Sequence, residues 1–186
     1  MTSLNQENDL AVRISKANTA QLQQLKAELT ELIGTPPGCY TMGIPAVLST
    51  LGVIVSFGIP QLWLGYKVSA ALGLPEESVF IWVVLIALLF SGINGMTMFL
   101  IGKGLMRAVQ VHLMLAVMSL VLTTVYLLTA LSGASVPGIS LIAALISIFM
   151  LLLSGYCIHS ISFYKMLLFI LHNRAWRKLL HQTRKT

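Results

Sequence analysis

The sequence predicts an all-α integral membrane protein: four transmembrane helices with both termini on the cytoplasmic side, a cytoplasmic N-terminal amphipathic helix and a basic C-terminal interfacial helix. Three observations predict it. Of 186 residues, 56% are apolar and 10% charged, with a mean hydropathy of +0.85, whereas a soluble domain carries about a quarter charged residues. Four apolar stretches each reach the roughly 20 residues a helix needs to cross about 30 Å of hydrocarbon. The charge is also unevenly spread. The acids Glu7, Asp9, Glu28, Glu31, Glu76 and Glu77 come first, and past Glu77 there are bases only: Lys103, Arg107, Lys165, Arg174, Arg177, Lys178, Arg184 and Lys185.

Residues 1–41 form the sizeable segment outside the membrane. The opening lacks a basic stretch followed by an apolar run and does not read as a cleaved signal peptide. A helix is expected over about residues 19–33, capped by Asn18 or Thr19 and stopped by Gly34 ahead of "TPPG". Leu22, Leu25, Leu29 and Leu32 recur at three and four residues, as in a heptad seam. Two heptads are too short for an independent coiled coil. The helix therefore lies on the membrane or on the protein's own cytoplasmic ends, or it serves as a docking or oligomerisation helix.

The transmembrane domain is expected over 42–165, with spans at about 43–66, 78–101, 105–131 and 138–162. "ALGLPEES", "GKG" with Arg107, and "SGASVPG" separate them. Basic residues in short loops stay cytoplasmic. With four spans, termini inside puts every basic cluster on one side, and a bacterial inner membrane is the expected setting. The apolar run from Gly138 to about Leu171 would reach about 50 Å as one helix. It must tilt, bend or leave the membrane, and Gly155 is the expected bend. Cys39 and Cys157 give no disulfide framework.

The tail, 166–186, has bases at helical spacing and an apolar side. Lys165, Arg174, Arg177 and Lys178 with interfacial Trp176 read as a membrane anchor on an anionic cytoplasmic leaflet. Nothing in it resembles a nucleic-acid recognition motif.

No Asp or Glu lies in a span. That excludes paired-carboxylate hydrolysis, an intramembrane aspartyl protease and carboxylate-coupled transport. The remaining span polar groups are Gln61, Asn94, Gln110, His112 and His159, plus hydroxyls. In "SGING", Ser91 and Gly95 suit a tight helix contact bridged by Asn94, or Asn94 lines a central cavity. Ser49, Gly52 and Ser56 make a small-residue stripe in span one, and Pro60 frees a carbonyl. Close packing of spans one and two is the expected result. His112 and His159 each sit roughly 10 Å below the same surface. They hydrogen-bond locally, face each other as ligands of haem or a metal, or form a proton-responsive site.

The function expected is a non-enzymatic accessory, assembly, regulatory or immunity-type component. It would act through intramembrane helix contacts and cytoplasmic helices, with another membrane protein or a second copy as partner. The alternatives are a small transporter or channel subunit acting as an oligomer, and a haem- or metal-binding subunit.

Overall fold

The computed structural model describes residues 2–34, 43–75, 77–133 and 138–184. Cys39, the "TPPG" stretch, Glu76, residues 134–137 and Lys185 lie outside the described residues. Among those described there are seven helices: α1 (Thr2–Lys16), α2 (Thr19–Ile33), α3 (Ile44–Ala71), α4 (Ser78–Gly102), α5 (Met106–Leu131), α6 (Leu141–His159) and α7 (Ile161–Thr183). Helices α3 to α6 are long and apolar enough to cross a membrane. The protein is thus an all-helical, multi-pass membrane protein.

The local signals act where the residues place them. Asn18 accepts from the Gln21 amide at 3.0 Å while the Gln21 side chain accepts from the Asn18 amide, a reciprocal cap of α2. Gly34 ends α2 with φ +60°, a conformation that a side chain disfavours. Span boundaries differ from the sequence expectation at both outer spans: α3 runs on to Ala71 and α6 begins at Leu141. The fourth span does not bend at Gly155; it stops at Ser160, whose extended backbone closes α6 and opens α7. Ser160 Oγ donates to the Cys157 carbonyl at 2.7 Å and accepts from the Phe163 amide at 3.2 Å. A serine that caps both ends offers the chain more at a break than a glycine inside an intact helix. The tail helix therefore begins at Ile161, before Lys165.

Helix α3 is the axis of the bundle. It touches α4, α5 and α6, and half of its apolar window is buried, against 17% for α4 and for α5. Two glycines set the approach. A Cβ on Gly52 would lie 2.6 Å from the Met150 carbonyl oxygen of α6, and one on Gly65 would lie 3.0 Å from Val79 of α4. Between these points Phe57 stacks on Phe90 with ring centroids 3.8 Å apart. Gln61 donates to the Val83 carbonyl at 2.7 Å. Toward the far end Trp63 packs on Tyr126, whose hydroxyl donates to the Gly138 carbonyl and accepts from the Ser140 amide.

Helices α1, α2 and α7 form a cap over the end where α3 and α5 begin and α4 and α6 finish. α1 packs on α5 and α7, and α2 packs on α7. One apolar cluster joins Ala11 and Ile14 of α1, Leu22, Leu25 and Leu29 of α2, and Leu167, Leu168, Leu171 and Ala175 of α7 to the span ends through Ile101, Met106 and Val109. Helix α1 was not expected from the sequence, although Ala11, Ile14 and Ala17 already repeat at three residues.

Candidate functional site

The candidate site is the polar interior of the four spans. Burying a hydroxyl or imidazole in hydrocarbon costs free energy unless it finds a partner, so the pairings decide what these groups do. Fully or nearly fully buried polar residues there include Ser49, Ser56, Gln61, Asn94, His112, Ser119, Thr123, Ser147 and Ser154.

They gather in two layers along α3. Nearer the cap, Ser49 Oγ lies 2.9 Å from His112 Nε2 and 2.9 Å from Ser154 Oγ. His112 Nδ1 has no partner. A buried unpaired acceptor costs less than a buried unpaired N–H, so we assign the proton to Nε2, with Nε2–H donating to Ser49 and Ser49 donating to Ser154. Two turns deeper, Ser56, Thr123 and Ser147 form a triangle with sides of 3.1, 3.2 and 3.0 Å. Its anchor is the Ser56 carbonyl, which accepts from Ser147 at 2.8 Å and from Thr123 at 3.3 Å. That carbonyl is free because Pro60, four residues on, has no N–H to give it.

The small-residue stripe thus faces α6 and α5. Spans one and two do pack, but through Gly65, Gln61 and Phe57. The stripe's serines pair with hydroxyls of α5 and α6; the buried polar groups of α4, Asn94 and Thr97, instead donate to carbonyls of their own helix, Phe90 and Ile93.

In "SGING", Asn94 is fully buried and its Nδ2 donates to the Phe90 carbonyl of its own helix at 2.9 Å. It makes no bond across helices, and its Oδ1 has no partner. Ser91 is half-buried and Gly95 is exposed. A Cβ on Gly92 or on Gly95 would meet nothing within 4 Å. The expected Ser91–Gly95 contact is therefore not made within this chain, because turning Asn94 inward turns its neighbour outward by about 100°.

The two span histidines are not brought together. His112 is enclosed beside Ser49, while His159, the last residue of α6, is exposed. Ser154 points at Ser49, the same hydroxyl that His112 meets, and five helical residues later the direction has turned by about 140°. Cys157 is buried and unpaired. Among the described residues no three His, Cys, Asp or Glu side chains form a group that could hold a metal ion.

The tail and leucine helix are used inside the cap. Leu22, Leu25 and Leu29 are buried against α7 and α1, and only Leu32, 50% exposed, remains outside. Lys178 Nζ donates to three carbonyls at the end of α1: Ile14 at 2.9 Å, Ser15 at 2.7 Å and Ala17 at 3.1 Å. Arg174 donates to the Gly104 carbonyl in the α4–α5 turn at 2.8 Å. The Lys26 ammonium sits 3.8 Å from the centre of the Trp176 ring. Arg177 reaches only the Asn173 carbonyl of its own helix, at 3.3 Å among the described residues. Lys165 lies half-buried in the first turns of α7. The sequence shows these bases at helical spacing but not that two of them cap distant helix ends and turns, since that depends on α7 folding back.

Compared with known proteins, the chain matches no protein-family model, no curated protein and no solved structure.

Proposed function

We propose that the protein is a non-enzymatic membrane component of an accessory, assembly, regulatory or immunity type, acting through helix contacts within the bilayer and through its cap. The observation that carries this reading is that the span hydroxyls satisfy one another. Ser49, His112 and Ser154, and then Ser56, Thr123 and Ser147, close into two bonded layers around α3. Groups held this way hold helices together and do not converge on a reactant. Both termini on the cytoplasmic side of a bacterial inner membrane agree with the placement of the bases and remain part of the proposal.

The contact face assigned to another membrane helix is the outer side of α4, where Gly92 and Gly95 leave the backbone accessible. Small residues let membrane helices approach closely. The test is isolation from native membranes in mild detergent. Wild type should carry a stoichiometric membrane partner or second copy, and Gly95→Leu should lose it with the chain's own fold unchanged. A solitary wild-type chain whose cellular phenotype survives Gly95→Leu overturns the reading.

A second reading, a transporter or channel subunit acting as an oligomer, draws on Asn94 Oδ1 and His112 Nδ1, which are buried in the spans without partners. Loss of flux on Asn94→Leu with assembly intact supports it, and unchanged flux removes its basis.

A further inference from the structure

Arg177, an exposed base of α7, opens onto a cavity of suitable shape and chemistry for a lipid. This cavity, about 310 Å³, lies where α3, α4 and α7 meet at the boundary between spans and cap. Its walls are apolar: Ala46 and Val47 from α3, Met98 and Ile101 from α4, Phe169 and Ile170 from α7. Its polar residues are Asn173 and Arg177, one turn apart on α7. Among the described residues no acidic side chain lines it. On its other side Arg177 joins a second cavity, of about 420 Å³, with His181 and Arg184. Arg177, His181 and Arg184 follow one another at helical spacing, so they form a basic edge running away from the apolar chamber.

We propose that this is a binding site for one anionic phospholipid. The headgroup phosphate sits at Arg177, between the two cavities, and the start of an acyl chain lies along Val47, Met98 and Ile170 toward the bilayer. Two features select this occupant. A chamber that is apolar inside and cationic at its mouth complements an amphipathic anion, and a guanidinium gives a phosphate paired N–H donors. The neighbouring bases Arg174 and Lys178 are committed to protein carbonyls, Arg174 to Gly104 and Lys178 to the end of α1. Arg177 has only a long bond to its own helix, so it gives up little to take a phosphate. The site rests on the reading that the cap faces the leaflet rich in anionic lipid.

The experiment equilibrates the delipidated, purified chain with mixed micelles of phosphatidylglycerol and phosphatidylcholine and counts retained lipid by native mass spectrometry. Wild type should keep one phosphatidylglycerol per chain in preference to phosphatidylcholine. Arg177→Gln should lower that retention about five-fold, the worth of one base near an anionic surface. Val47→Trp, on an exposed side chain, should block the chamber and lower it with Arg177 intact. Arg174→Gln, monitored by circular dichroism, reports damage to the cap alone and should keep the preference. Equal retention of both lipids overturns the proposal. So does full retention in both Arg177→Gln and Val47→Trp, or release of the lipid by millimolar inorganic phosphate, which would mark a simple anion site. None of these outcomes depends on whether a protein partner binds α4, so the two proposals fail separately.

Discussion

Ser147 Oγ donates a 2.8 Å hydrogen bond to the carbonyl oxygen of Ser56, the acceptor that Pro60 leaves without its helical donor. A proline on the axial helix of a membrane bundle exposes a carbonyl where no water can reach it. Here a neighbouring helix supplies the missing donor.

That link makes the two positions dependent. Ser147→Ala should cost about 1 kcal/mol in the native background. In a Pro60→Ala background, where residue 60 again has an N–H for Ser56, it should cost clearly less. Unfolding titrations in mixed detergent of the four proteins measure the coupling. Equal losses in both backgrounds would break the link.

The glycines divide into enclosed and open ones. Gly52→Ala pushes a methyl to 2.6 Å from the Met150 carbonyl, so α3 and α6 must separate. The expected destabilisation is about 1–3 kcal/mol. Gly95→Ala meets nothing within 4 Å and should leave the isolated chain as stable as wild type or raise its stability by up to about 1 kcal/mol. The same titration checks both, and a reversed order would contradict the packing of α3 on α6.

Lys178 is the cation at the end of α1. Replacing it by Met removes three hydrogen bonds and the charge that complements the helix terminus. Amide hydrogen exchange in α1 should quicken about 5- to 30-fold, corresponding to about 1–2 kcal/mol. Arg177→Gln on the same helix should leave α1 unchanged. Equal exchange in wild type and Lys178→Met would mean that the apolar contacts alone hold α1 down.

His172 makes the cap sensitive to acid. Its pKa lies below the ordinary value of about 6.5, first because burial disfavours the charged ring and then because the Lys26 ammonium repels it; a hydrogen bond with Asn173 works the other way. Above the ordinary value the ring is neutral whether the cap is folded or not, and its full contribution is present. As pH falls below that value, the unfolded chain takes up the proton more readily than the folded one, and stability declines until the folded-state value is passed. Cap stability, read from α2 hydrogen exchange, should therefore fall as the pH drops below about 6.5. His172→Phe should flatten the fall, and an unchanged slope in that variant would assign the effect elsewhere.

The spans were legible because twenty apolar residues in a row have few other uses, and the ends of α2 were legible because Asn18, Gln21 and Gly34 act on backbone beside them. Which faces meet was not. The stripe of Ser49, Gly52 and Ser56 announces a close contact, but choosing α6 over α4 requires the bundle order, which no local pattern holds. Helix α1 is not legible because Ala11, Ile14 and Ala17 sit among polar residues and bury themselves against elements distant in sequence, α5 and α7. The break at Ser160 and the pairing of Ser49 with His112 likewise rest on contacts that form only in three dimensions.

The cap also imposes an order of assembly. Ile14 and Lys178, joined by a hydrogen bond, are separated by 164 positions. During synthesis the leucines of α2 emerge first, and the α7 surface that covers them emerges after all four spans. At roughly 5–20 residues per second, the wait between Leu22 and Leu171 is on the order of ten to thirty seconds. Throughout that interval the N-terminal helices carry an uncovered apolar face at the membrane surface, available to the insertion machinery or to a chaperone. Closure of the cap then reports that the last span is in place.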